Sequence, residues 1–585
     1  MVIFMKNPMR NLPGVPALLG LSCCLALSLF PGPAAPFAPL PAYGATAQEI
    51  SLGERIYREG ILPSGEHLQV AVKGDAAVPG LTFSCASCHL RSGIGAYDEG
   101  INTPAISGGI LFRALPMRYK GYLLSADSSR PTLRPAYTEE TLIEVLRSGR
   151  DPKGRVLSNQ MPRYHLSDRD AGLLVAYLRT LSSEFSPGFG AGEIRFATVV
   201  SEDLPAVKRD TMLSSLDSYF KMKNNQLLSF SNPLSGTRAR RMAESMQLSR
   251  DAVSKSISLA HWTLKGAPDT WRAQLEEYNR KEPVFALLGG MVTGSWQPIH
   301  QFCEENRIPA LFPETDLPVI SDTDWYTLYA SKGYFQEGEG AARFLNDREE
   351  LSKGGKIVQV VRSSAQAAAL AAGFQQAWRE LGRQAPVTLP LVRGKLLDRE
   401  FLQRVLAREK PAILLVWDDA SALPGLESLA RGKGHPTIVF LSARYLGEQS
   451  WSLPEQIRDF SYLTYPFVFS TKVVPVGMSK LVIKEDTQQT LKKTALPGIG
   501  EPWETVVRTY AVTQLLSSLL MDLNGNYYRD NLLDVSGMMG DQLDQLYGRL
   551  SFATDQRYAS RGCYIVQLSH GVAPELVKRS DWIGH

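Results

Sequence analysis

Residues 284–312 read VFALLGGMVTGSWQPIHQFCEENRIPALF. An apolar run of strand length over 284–289 ends at Gly289-Gly290 and a Gly/Thr/Ser loop. A helical stretch follows over 296–306, and a second apolar run fills 308–312. Short β-branched and aromatic runs bounded by glycine read as strands, and an amphipathic stretch between two of them makes a β–α–β unit. The same alternation extends outward. Strand-like runs at 194–200, 257–264, 356–361, 413–417 and 437–442 are interleaved with helical ones at 206–223, 268–280, 335–346, 365–381 and 401–408. After 469 the order loosens, with a long amphipathic helix over 503–523 and strands near 549–553 and 563–568. Repeated β-then-α text predicts parallel sheets covered by helices on both faces.

The text before residue 193 is different. Lys6 and Arg10 precede a 16-residue apolar run over 15–30, a Pro/Ala-rich stretch and then Ala45-Thr46-Ala47. The run is short for a bilayer span and suits a signal h-region, so residues 1–47 are expected to be an export leader with Gln48 the first mature residue. An uncleaved anchor is the alternative. The expected location is the periplasm, with no membrane span in the mature chain. Gly and Pro concentrate again over 183–192, which is expected to be a linker between a small region, 48–182, and a large one, 193–585. The chain of 585 residues carries a net charge of only +4 and no long basic run, which argues against nucleic acid as a partner.

Six cysteines are too few for a disulfide scaffold, and their placement carries the information. Cys85-Ala86-Ser87-Cys88-His89 is the C-x-x-C-H signature of covalent c-type haem attachment. Two thiols three positions apart on one helical turn can each form a thioether to a haem vinyl group, and His89 then reaches the iron as proximal ligand. No second cysteine pair completes a zinc site. The expected cofactor is therefore one covalent haem c. Cys303 and Cys563 remain, and export would permit a disulfide between them.

A sixth iron ligand would lie downstream. Met161 stands in Gln160-Met161-Pro162-Arg163-Tyr164, before an N-cap at Ser167 and a helix whose Leu174, Leu178 and Leu181 share a face. Met117 and His165 are its rivals. Here the chain resembles the class I cytochromes c, in which a Met-Pro pair precedes a C-terminal helix with an Ala176-Tyr177-Leu178-like segment. That helix pairs with an N-terminal one carrying a glycine and an aromatic, matched by Gly53 and Tyr57. The resemblance implies a small all-α domain, Pro104 supporting His89, and Met161 as distal ligand. Residues 58–83 and 89–161 are longer than that family's usual spacers. A His/Met pair fills both axial sites, which favours an electron carrier over a haem enzyme. Arg147, Arg150, Lys153, Arg155 and Arg163 surround Met161 and could steer a redox partner such as a dehydrogenase or respiratory cytochrome.

From 193 onward the chain resembles the type I periplasmic binding proteins, substrate-binding receptors of ABC transporters. The resemblance rests on the opening strand 194–200, the run Phe285-Ala286-Leu287-Leu288-Gly289-Gly290 and residues 334–345. It implies a two-lobed α/β body with a small-molecule cleft. Ligands of such sheets bind beyond the carboxyl ends of strands, which makes Thr293, Ser295, Tyr334 and Asp418 the candidate contacts. Asp418 or Asp419 is the carboxylate available to a ligand amine. The expected function is an exported monohaem c-type cytochrome carrying a binding module. The alternatives are a solute receptor or sensor with accessory haem, and a cytochrome subunit of an alcohol-oxidising system.

Overall fold

The computed structural model describes residues 44–584 except 73–75, 80–82, 99–100, 117, 120–121, 124–131, 232–254, 347, 349–354, 432–433, 470–489, 493–501, 545 and 554–555. Most of the leader, residues 1–43, and the rival ligand Met117 lie outside the described residues.

The small region is framed by two helices, α1 (Ala47–Glu59) and the C-terminal helix that ends at Thr180. Between them lie α2 (Cys85–His89) and α3 (Glu139–Ser148), and the closing helix is α4 (Asp168–Thr180). Thr46 caps α1 in a capping box with Glu49, so cleavage after Ala47 would remove the cap with the leader. Ser167 caps α4 by accepting from the Asp170 amide, at the residue the sequence indicated. α1 and α4 cross in close contact. A Cβ on Gly53 would fall 2.1 Å from the Leu173 carbonyl oxygen, so only glycine permits the crossing. The Tyr57 and Tyr177 rings meet one turn along at 5.3 Å.

The region is not all-α. Strand β1 (Gln69–Val72) pairs antiparallel with β2 (Ala76–Pro79) on one side and with β3 (Arg163–His165) on the other. The cause is the long segment 58–83, which folds back as a hairpin and pairs with the chain just past Met161. The segment 183–192 is not a free tether either. β4 (Phe189–Gly190) pairs with Ile194 and Glu193 of the first large-region strand. Phe189 stacks on Tyr527 at 4.1 Å, and the Ser186 amide donates to the Tyr527 carbonyl.

The large region holds two sheets. The first contains β5 (Glu193–Ser201), β6 (Ser256–Leu264), β7 (Ala286–Leu288), β8 (Ala310–Leu311) and β9 (Thr327–Ser331), in spatial order β6-β5-β7-β8-β9. The second contains β10 (Ile357–Arg362), β11 (Val387–Leu391), β12 (Ile413–Trp417), β13 (Ile438–Ser442) and β14 (Ser461–Tyr465), in order β11-β10-β12-β13-β14. Both sets are parallel and share the doubly wound order 2-1-3-4-5, whose reversal point faces the carboxyl ends of the strands. The final stretch crosses between them: β15 (Tyr558–Ser560) extends the first sheet beside β9, and β16 (Gly562–Leu568) joins the second antiparallel to β14. β12 and β13 are buried at every residue, as continuous apolar runs flanked by helices should be.

Helix α5 (Ala206–Ser231) covers the first sheet. Helices α6 (Tyr334–Asn346) and α7 (Ala365–Glu380) cover the second and cross so tightly that a Cβ on Gly338 would lie 2.1 Å from the Leu370 oxygen. α8 (Pro502–Asp522) packs on α5, with Tyr219 and Ser517 hydroxyls 2.6 Å apart, and α9 (Arg529–Gly537) follows it. Cys303 and Cys563 are unpaired. They sit in separate cores, with zero exposure each, so no disulfide joins them.

Residues 45–585 form one compact unit, and the small region is bound to the large one by charge. Arg58 of α1, its side chain only 8% exposed, pairs with Asp530 of α9 at 2.5 Å and with Glu54 at 3.0 Å. Glu54 in turn receives Arg307 at 2.7 Å, and Tyr326 donates to Asp530 at 2.9 Å. Removing one partner of a buried pair leaves the other uncompensated. Asp530→Ala is therefore expected to cost about 3–5 kcal/mol, read as a lower Tm and faster proteolysis within 182–192. A melting curve identical to that of the parent protein would show that the pair does not hold the regions together.

Candidate functional site

α2 is a single turn that places both motif thiols and the imidazole together. Cys85 is buried and Cys88 exposed, and both are free thiols. Burial pushes the Cys85 thiol up to about 12, so it is a protonated, protected sulfur. His89 is buried, and its Nδ1 lies 2.9 Å from the Pro104 carbonyl oxygen, which accepts the ring N–H. This bond leaves Nε2 as the nitrogen with a free lone pair. Burial lowers the His89 pKa, with the Pro104 bond opposing, so the ring is held in the neutral form that a metal ligand requires.

This donor set fits a haem. Among the described residues, no group of three or more His, Cys, Asp or Glu is placed to hold a bare metal ion. Two free thiols lie on the same turn as His89, the donor set that a covalently attached haem would use. Met161 is half-buried against the same apolar core as Cys85 and Tyr164. Its loop is propped from both sides: Arg163 donates to the carbonyls of Met161 and Leu157, and β3 is tied to β1 at Tyr164–Val70. His165, its rival, is exposed on β3. Arg147 of α3 binds Asp168 of α4 at 2.8 Å, Arg155 binds Asp151 at 3.0 Å, and Arg163 donates to its own loop, so these basic residues near Met161 are engaged within the small region.

The second candidate site lies where the carboxyl ends of the two large sheets converge. Asp316 follows β8. Its carboxylate receives Arg444, from the short helix after β13, at 2.8 Å and Arg508 of α8 at 3.1 Å. Arg508 also binds Glu504 at 2.5 Å. Burial drives the Asp316 pKa up, but Arg444 and Arg508 outweigh it and hold the carboxyl below its ordinary range. Glu337, in the first turn of α6, accepts from Ser442 at 2.7 Å and Thr464 at 2.6 Å. Burial pushes it up to about 7, against the opposing pull of Arg444 and those hydroxyls. Glu337 Oε1 and Arg444 Nη1 are buried with no hydrogen-bond partner among the described residues. A cavity of about 10 Å³, enough for one water, is lined by Phe312, Glu314, Arg508 and Thr509.

Of the residues marked in the sequence, Tyr334 belongs to this floor. It is buried, with the Arg444 guanidinium 5.8 Å from its ring. Thr293 and Ser295 are exposed on the loop after β7. The Thr293 amide donates to Ser201 Oγ, and Ser295 Oγ accepts from the Gln297 amide, so the loop is closed by its own hydrogen bonds. Asp418 follows β12. It is fully buried, holds Arg362 through both oxygens and accepts the Asp419 amide. The floor residues Asp316, Glu337, Arg444, Glu504 and Arg508 were missed by sequence reasoning. The signal for Asp316 and Arg444 was present, because each lies in the segment just after a strand run, but a charged residue after a strand is ordinary until two sheets bring several together.

No family model matches the chain, and no curated protein matches it. Among solved structures, the chain is similar to an ABC transporter solute-binding protein from R. palustris in complex with benzoate, at 12% identity and TM-score 0.42, covering 67% of this chain and 98% of that one. It is also similar to a fatty acid ABC transporter substrate-binding protein from Thermomonospora curvata (15%, TM-score 0.41, covering 69% and 95%). An ABC transporter substrate-binding protein from Sphaerobacter thermophilus is a third likeness (12%, TM-score 0.44, covering 67% and 98%).

The raised Glu337 pKa gives a stability prediction with a definite sign. Between its ordinary value of 4.5 and about 7 the folded state holds a proton that the unfolded state has lost. Stability from this group is therefore greatest at low pH and declines as pH rises through that window. Glu337→Gln should flatten the decline in Tm between pH 4.5 and 7 relative to the parent. Parallel Tm–pH curves would show that Glu337 titrates normally.

Proposed function

We propose that this chain is an exported solute-binding receptor that carries one covalent haem c. The observation that carries the receptor reading is the buried charged floor at the carboxyl ends of two doubly wound sheets. A receptor needs polar groups held without water, in a place that two bodies can close upon. Arg444 and Arg508 supply fixed donors there, and Glu337 supplies a carboxyl that holds its proton up to about pH 7 and so can donate as well as accept. In the closed arrangement Asp316 occupies Arg444. A solute therefore enters by separating that pair and taking its place, and its polar groups meet the atoms left without partners. Binding at this floor raises stability by RT ln(1 + [L]/Kd), about 2.7 kcal/mol at a hundredfold excess over Kd. Dialysed protein is expected to gain Tm with at least one small carboxylate or alcohol from a panel, and Arg444→Gln is expected to lose the gain. A panel that moves neither protein would remove the receptor reading.

A second observation favours the haem and, with it, electron transfer. His89 has Nδ1 committed to Pro104 and Nε2 open, on a turn whose two thiols are unpaired. When bound, the haem supplies a one-electron iron couple. The chain's part would be to fasten it at Cys85 and Cys88, to orient the His89 imidazole through Pro104, and to supply Met161 as a second donor. Each residue in that set can be tested separately. Mass spectrometry of the exported protein is expected to report the polypeptide plus one haem, and Cys85→Ser/Cys88→Ser the bare peptide. Met161→Ala should keep the haem mass and change the absorption spectrum. An unchanged Met161→Ala spectrum would move the distal ligand elsewhere, and a colourless parent protein at peptide mass would end the haem reading.

A further inference from the structure

The residue after the haem motif is strained. Leu90 leaves α2 with φ 64° and ψ 168°, a conformation that essentially only glycine adopts. Such a residue persists only where its surroundings over-determine it. Here the constraint comes from two directions. Within the small region, Tyr57 donates to the Leu90 carbonyl at 2.7 Å. From the large region, Asp534 of α9 reaches across the seam. Its carboxylate accepts the Ser92 amide at 2.8 Å and the Arg91 amide at 3.4 Å. Asp534 is itself fully buried.

We propose that Asp534 is a positioning residue for the haem site: through the Arg91 and Ser92 amides it holds the Leu90 turn, and that turn sets the orientation in which His89 presents Nε2. The inference rests on the haem reading above. A buried carboxylate is an expensive way to fill a contact, because each unmet lone pair carries a desolvation penalty. The seam already has its ionic fastening at Arg58–Asp530 and Arg307–Glu54. Asp534 differs from those pairs in reaching the main chain, with the Ser92 side chain as a further partner, so it fixes the path of 90–92. Arg91 is fixed as well, its guanidinium lying 4.2 Å over the Trp325 ring with Arg557 on the same ring at 4.0 Å. The large body thereby grips the chain within three residues of the proximal ligand. A fixed negative charge at that point also favours ferric over ferrous iron.

The test uses the full exported protein with Asp534→Ala, and Asp530→Ala as the comparison that weakens the same seam without removing a hydrogen bond to the 90–92 backbone. Asp534→Ala is expected to keep the haem mass, change the g-values of the ferric low-spin EPR spectrum, and shift the ferrous/ferric ratio at a fixed poise about tenfold toward ferrous, equivalent to 59 mV for one electron. Asp530→Ala is expected to lower Tm and leave spectrum and potential as in the parent. Should Asp534→Ala fail to accumulate, Asp534→Asn, which keeps one acceptor oxygen, is read in the same way, with shifts in the same direction. Parent-like EPR and potential in a haem-bearing Asp534 variant would overturn the proposal while leaving the haem reading intact. Equal shifts in the Asp530 variant would also overturn it, since the effect would then belong to the seam as a whole. Parent protein at bare peptide mass would overturn both.

Discussion

The buried pair between Arg58 and Asp530 is the contact on which the arrangement of this molecule turns. The ordered segment 183–192 and the Asp534 contacts at 91–92 also join the two regions. Through the Arg58–Asp530 pair, α1 is clamped to α9, and the two carboxylates Glu54 and Asp530 share the guanidinium while Tyr326 and Arg307 complete the ring. A pair this deeply buried holds only because each charge has several partners. Burial drives the Asp530 pKa up, yet Arg58 and Arg91 bring the net shift below the ordinary range, so the carboxylate stays charged at neutral pH.

One consequence is that segments of the chain serve two places at once. The stretch from β8 to β9 begins with Glu314 and Asp316 in the charged floor and ends with Trp325 and Tyr326 against the small region. The stretch from α8 to α9 begins with Glu504 and Arg508 in that floor and ends with Asp530 and Asp534 at the seam. The two candidate sites are therefore built on common elements. A molecule whose two functional regions were joined by a flexible linker would share no such segments.

Much of the architecture was legible because strand and helix periods are local. The β–α alternation from 194 to 442 appears as parallel strands and covering helices at nearly the same residues, for example Ile413–Trp417. The Ser167 cap was likewise written in a short pattern, whereas the α1–α4 crossing at Gly53 and the nearness of His89 to Pro104 were expected only from the resemblance to class I cytochromes c. What could not be read locally was pairing at a distance. The segment 58–83 has no helical period, and only its register with 163–165 turns it into a sheet edge. Residues 183–192 have the composition of a tether, but they are ordered because Phe189 meets Tyr527, more than three hundred residues later.

The sequence by itself determined the haem-type motif, the positions of the strands and helices, and the rule that ligand contacts lie beyond strand ends, because each depends on residues within a turn or two of one another. Only the tertiary structure decided which charged groups face one another. It gave Asp418 to Arg362 and left Asp316, Glu337 and Arg444 as the floor between the sheets. It also set Asp534 on the backbone beside His89. The reason is physical: the energy of a buried charge is fixed by its partners in space, and a sequence lists its charges without saying which of them will meet.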